Sequence, residues 1–173
     1  MILLIAALVL DLLLGDPQYR WHPIRGVGFV IDRFDRWLGP VGGETDRNAL
    51  LSGALLFIVV QLVVFTVYHV LVYTLVSFDR PTLLFLFKLY VLYSMLAIRS
   101  LVQETRKVMV PLLTGDLEGA RHALSFLVSR ETEEMEEEKI ITSTVETLSE
   151  NFVDGTLSPL LAYAVGGLPA LLF

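Results

Sequence analysis

From Ala49 to Val76 the chain runs without a formal charge, and only Gln61 and His69 interrupt it as strongly polar groups. As a helix this stretch would be about 40 Å long, enough to cross a hydrocarbon core of roughly 30 Å with some tilt. Ser77 to Pro81 is a tight connector, and Thr82 to Ile98 returns as a second apolar run. Residues 49–76 and 82–98 therefore predict a transmembrane hairpin. The composition agrees, because 54% hydrophobic residues and a mean hydropathy of +0.65 exceed what a soluble domain carries. The expected fold class is all-α: a polytopic integral membrane protein with amphipathic and cytoplasmic helices, forming a single membrane domain over 1–173. Within the hairpin, His69 is expected to hydrogen-bond a neighbouring helix rather than to ligate, and Lys88 to face a partner helix or a polar cavity.

Residues 1–15 are almost wholly apolar but short for a span, with no basic residue ahead of them and Asp11 inside. They predict a short membrane helix, whose acid is either a functional group facing a bundle or an interfacial one. After a polar stretch, Val27 to Leu38 reads as an amphipathic helix on the membrane surface, with Asp32, Arg33, Asp35 and Arg36 on its polar side. Gly39-Pro40 stops it. Residues 99–155 read as a cytoplasmic helical region. A helix over 99–113 carries an apolar stripe at 101, 102, 105, 108, 109, 112 and 113; Gly115 ends it, and Asp116 caps a helix over 117–128. A polar turn, Ser129 to Thr132, leads to Glu133, Glu134, Glu136, Glu137 and Glu138, which reads as a solvated helix face. Residues 156–173 are a broken membrane segment interrupted by Pro159, Gly166-Gly167 and Pro169.

Basic residues set the expected topology. Arg20, Arg25, Arg33, Arg36 and Arg47 lie in 16–48, and Arg99, Arg106, Lys107, Arg121, Arg130 and Lys139 in 99–155, against Arg80 alone in the connector. The positive-inside rule then places both polar stretches in the cytoplasm. The chain is expected to be multi-pass in the cell membrane, in contact with lipid, with its site on the cytoplasmic side.

A net charge of -6 and a pI near 5.0 argue against nucleic acid as a partner, since that footprint is basic. The absence of cysteine excludes thiolate chemistry, so any metal must be held by oxygen or histidine. Two stretches carry candidate chemistry. Asp16-Pro17 and His22-Pro23 each force a turn, because the residue before proline is pushed out of the helical region. Together they would gather Asp16, Arg20, His22 and Arg25, either as an anion or phosphate clamp or as an interfacial connector whose arginines meet lipid headgroups. In the second stretch, Ile141, Val145, Leu148 and Phe152 fall on one helical stripe and Glu146 and Glu150 on another. Asp154 extends the carboxylate face if the helix reaches Gly155, and the Asn151 amide lies beside it.

On these residues the chain resembles the adenosylcobinamide-phosphate synthase family of cobalamin biosynthesis, the CobD/CbiB proteins. The matching segments are Leu10-Asp11-Leu12-Leu13-Leu14-Gly15-Asp16-Pro17, His22-Pro23-Ile24-Arg25, Gly115-Asp116-Leu117 with Ala120-Arg121, Ser129-Arg130-Glu131-Thr132, and Val145 to Gly155 with Pro159-Leu160. At position 131 the family more usually has Asp. The resemblance implies an integral membrane enzyme that uses ATP and magnesium to join a corrinoid substrate, adenosylcobyric acid, to aminopropanol or its O-phosphate through an amide. The phosphate charge that moves in such a reaction calls for a hard cation on oxygen ligands and for arginine donors. On that basis Glu146, Glu150 and Asp154 are the expected metal ligands, and Asp16, Arg20, Arg25, Arg130 and Asn151 the substrate and phosphate contacts. Glu146, Glu150 or His22 is expected to take the amine's proton. The family pattern continues past Gly166-Gly167-Leu168-Pro169, so the chain is expected to be the N-terminal part of a longer domain, its site completed by further sequence, a homo-oligomer or a second chain.

Two other classes use the same features. A membrane sensor or accessory protein similar to AmpE-type signalling proteins would keep the spans and need no ATP. A small transporter would use Asp11, Gln61 and Lys88 as a polar pathway and predicts solute flux in proteoliposomes.

Overall fold

The computed structural model describes residues 1–16, 19, 22–38 and 46–173, of which 46–49 as backbone only. Among these the regular elements are helical and no strand occurs: α1 (Ile2–Leu14), α2 (Pro23–Leu38), α3 (Asp46–Ser77), α4 (Pro81–Tyr93), α5 (Ile98–Leu113), α6 (Leu117–Ser125), α7 (Glu137–Phe152), a π turn (Val153–Leu157) and α8 (Ser158–Leu171). The chain divides into two compact units, Met1–Asp16 with Met95–Leu161, and Pro17–Ser94 with Ala162–Phe173.

The first unit is built on α5, α6 and α7. Val108, Ala120, Leu124 and Ile140 are fully buried, with Leu112, Leu117, Leu127 and Met135 packed around them. Each large aliphatic side chain enclosed this way contributes about 1.5–3 kcal/mol. Gly115 adopts φ 78° after α5, and the Asp116 carboxylate accepts from Gly119 N at 2.8 Å, as the cap pattern predicts. The stripe on α5 is narrower than expected, because Val102 and Leu113 are exposed. α6 ends at Ser125 rather than 128.

α7 buries neither expected stripe fully. Ile141, Val145 and Phe152 point outward, while Ile140, Ser143 and Thr144 are buried. Small hydroxyl residues allow close packing, and Thr144 returns its hydroxyl to Ile140 O at 2.7 Å, which offsets the cost of burying it. The acidic run is not a helix face. Glu133 and Glu134 lie in a turn, Glu136 is the N-cap of α7, and Glu137 and Glu138 occupy its first turn, where the helix dipole favours negative charge.

In the second unit α3 and α4 form a hairpin closed by Phe78–Arg80. Asp79 takes φ 49° and Pro81 opens α4, at a position where its missing N–H is not needed. Tyr68 stacks on Phe87 at 6.0 Å. Two stretches are long and apolar enough to cross a membrane, Leu50–Ser77 (28 residues) and Pro81–Leu113 (33 residues). The second is interrupted at 94–97, so the expected helix over 82–98 stops at Tyr93. Alone, α4 is about 20 Å long, and so is α1. His69 Nδ1 hydrogen-bonds Phe65 O of its own helix at 2.8 Å, rather than a neighbour. α2 begins at Pro23, four residues before the expected start, because proline suits the first helical position. The expected stop at Gly39-Pro40 lies outside the described residues. In α8 the break falls at Gly167, with φ 65°, whereas at Pro159 the chain stays helical and follows directly on the π turn.

Candidate functional site

The first turn of α5 is where two of the sequence-singled segments meet. Its N-cap, Ala97, has no side chain able to cap, so the helix's first N–H groups must find partners elsewhere. Asp11, buried completely in α1, supplies Oδ2 to Ile98 N at 3.0 Å and Arg99 N at 3.3 Å. Gly155 of the π turn supplies its carbonyl oxygen to Ala97 N at 3.0 Å. In return, Arg99 Nη1 donates to the carbonyls of Leu12, at 3.1 Å, and Leu13 at the end of α1. Gly15 takes φ 72° beside this side chain, and a Cβ there would stand 3.3 Å from Arg99 Cδ. Asp16 N then donates to Ser100 Oγ at 3.0 Å. Gly155, Asp11 and Asp16 thus bond four consecutive residues, Ala97 to Ser100.

The joint is polar inside. Asp11 Oδ1 and Thr156 Oγ1 are buried without a hydrogen-bond partner among the described residues, a costly condition that sets this end of α5 apart from the aliphatic core. Arg99 was not a sequence candidate. Its only signal was its place, an arginine directly after an apolar run and beside Ser100.

Further along α7, Glu146 pairs with Arg130 at 3.4 Å, both about half exposed. The turn that carries Arg130 is fixed by Arg121, whose Nε donates to Met135 O at 2.8 Å, and by Thr132, whose hydroxyl donates to Arg121 O at 3.0 Å. Glu150 and Asp154 are exposed. Asp154 lies in the π turn, so the α-helical register that would stack it over Glu146 and Glu150 ends at Phe152. Among the described residues no three His, Asp or Glu groups cluster tightly enough to enclose a metal ion. Carboxylates at 146 and 150 still suit magnesium, which takes one or two protein oxygens and fills its shell with water and phosphate. Asn151 lines a cleft of about 20 Å³ with Glu104, Thr105, Thr144 and Thr147, on the side of α7 that faces α5.

His22 and Arg25 belong to the second unit. His22 directly precedes α2 and Arg25 is exposed in its first turn; the expected Asp16-Pro17 turn lies outside the described residues. His22 is 8% exposed, its Nδ1 accepts from Ile24 N at 3.3 Å, and its ring packs edge-on against Tyr19. Tyr19 in turn donates its hydroxyl to Tyr90 at 2.5 Å. Arg20 lies outside the described residues.

A family model described as CobD/Cbib protein matches residues 4–173. The chain belongs to the CobD/CbiB family. It is 35% identical to the cobalamin biosynthesis protein CobD of Citrobacter koseri over 164 residues, 94% of this chain and 50% of that protein. It is 32% identical to the CobD of Clostridium acetobutylicum over 166 residues, 96% and 52% of the two chains. A probable CobD of Pyrococcus furiosus is 34% identical over 163 residues, 94% and 53%. The chain therefore spans about half the length of these CobD relatives. No solved structure matches it. Within the match, Asp11 to Asp16 and Gly155 of the Val145–Gly155 segment both bond the first turn of α5.

Proposed function

We propose that the chain acts in cobalamin biosynthesis as part of a membrane ligase that joins the carboxylate of a corrinoid acid to aminopropanol or its O-phosphate, with ATP cleaved to ADP and phosphate. The observation that carries this reading is the family match over 4–173 with relatives named for cobalamin biosynthesis. The ion pair of Arg130 with Glu146 supports it, since a carboxylate held beside an arginine is what phosphate transfer needs.

The parts divide as follows. Glu146, Glu150 and Asp154 supply oxygen ligands to magnesium, one or two directly and the rest through water. When bound, that ion neutralises charge on the transferring phosphate. Arg130 holds Glu146 in place and presents its remaining N–H groups to phosphate, with Arg20, Arg25, Asp16 and Asn151 as further substrate contacts. A carboxylate of α7 takes the proton from the attacking amine, a role for which exposed Glu150 is better placed than His22. Residues 16–48 and 99–155 face the cytoplasm in this reading, residues 49–76 and 82–98 form the membrane hairpin, and further sequence of the family or a second copy completes the site.

The test is Glu150→Gln, nearly isosteric but uncharged. Magnesium-dependent ATP binding is expected to fall by about tenfold or more, while helical content stays unchanged. Equal nucleotide affinity in the two proteins would remove α7 from the site.

A further inference from the structure

We propose that Asp11, Arg99 and Pro159 are positioning residues, which hold the Asp16 and Asp154 segments against the start of α5 without touching substrate. The inference rests on reading those two segments as phosphate and metal groups. Pro159 is the least expected of the three. It has no N–H to return to the carbonyl four residues earlier, and its ring crowds that carbonyl. The residue four back is Gly155. The helix relieves the conflict by widening into the π turn, in which Ser158 N bonds Val153 O, five residues back. Gly155 O, freed from its own helix, accepts from Ala97 N at 3.0 Å. A missing donor in one helix thus becomes the cap of another.

The same logic runs on the other side of α5. Asp11 is 0% exposed and gives one oxygen to two backbone donors, a task an N-cap side chain performs in most helices. Arg99, the third residue of that turn's start, closes the exchange on the carbonyls of α1. A helix end that is capped only by other segments fixes those segments as firmly as they fix it. Asp16 is joined directly to this structure through Ser100, and Asp154 precedes Gly155 in the chain.

Because the chain has no cysteine, spin labels can be placed cleanly at Leu14→Cys and Val153→Cys, both at exposed positions, and their separation measured by double electron–electron resonance in detergent. A narrow distribution is expected for the parent and for Asp11→Asn, whose amide oxygen still accepts. Broad distributions are expected for Asp11→Ala and Pro159→Ala. Pro159→Ala is decisive, because alanine is the better helix former and a purely helical role for the residue predicts equal or tighter order. Distributions as narrow as the parent's in both alanine variants would overturn the proposal, and Pro159→Ala alone decides if Asp11→Ala does not fold. The second readout is magnesium-dependent ATP affinity of the same protein with the same substitutions. A loss of about tenfold to a hundredfold is expected for the alanine variants, with the Asn variant near the parent. Broad distances with unchanged affinity would overturn the link to the site. A parent that binds no nucleotide would sink the proposed function, and the distance result would still be read by itself.

Discussion

α1 and α3 are both apolar helices, yet they hold their places by opposite means. α3 is 32 residues long, and none of its most hydrophobic window is buried. What would stabilise it is a lipid surround, against which its Leu, Val and Phe side chains are stable without protein partners. α1 is 13 residues long, too short to cross a membrane of ordinary thickness alone, and its one acid is fully enclosed. It is held by hydrogen bonds to the end of another helix. The contrast shows what a single carboxylate in an apolar run can mean: a joint rather than a pore lining, once two backbone donors point at it.

Breaking that contrast should be easiest in the core that α3 lacks. Leu124→Ala, at a fully buried position, should destabilise the first unit by about 2–5 kcal/mol, whereas Leu62→Ala on exposed α3 should stay within about 0.5 kcal/mol. Chemical unfolding in detergent, followed by circular dichroism, separates the two. Next in size is Asp11→Leu, which leaves the N–H groups of Ile98 and Arg99 orphaned and should cost about 2–4 kcal/mol. Gln61→Leu in α3 removes one hydrogen bond, to Phe173 O at 2.7 Å, and should cost about 1 kcal/mol or less. If the two changes cost the same, the joint would be no more than another polar contact in an apolar surround. The smallest effect on stability belongs to Arg130→Gln. Its pair with Glu146 is half exposed and worth under about 1 kcal/mol, so thermal unfolding should barely move while magnesium-dependent ATP binding weakens.

Much of the helical order was readable because it follows local rules. The uncharged run of α3, Gly115 as a terminator, Asp116 as a cap and the start of α6 at Leu117 each depend on a few neighbouring residues. The elements misread are those in which distant partners win. α4 stops at Tyr93 although its apolar pattern runs on to Ile98. Ile141, Val145 and Phe152 share one face by period and are exposed, which the period could not say, since periodicity sorts residues into faces without saying which face is covered. Pro159 looked like a breaker because proline breaks helices unless the chain can widen around it.

The site divides the same way. Glu146 and Glu150 on one face, with Arg130 in a turn upstream, were legible as candidates, and the pairing of Arg130 with Glu146 is a compatible outcome that spacing did not specify. Arg99 was invisible as a partner of α1, since the two are 86 positions from Leu13 in the chain and no local pattern spans that gap. By itself the amino-acid order determined the all-helical class, the positions of most helices and the family resemblance, because hydrophobic runs, caps and motifs act through nearest neighbours and through the solvent. Only the tertiary structure decided that Asp11 and Gly155 cap α5. Unsatisfied backbone groups at a helix end take whichever acceptor the fold brings within 3 Å or so, and that is a property of packing.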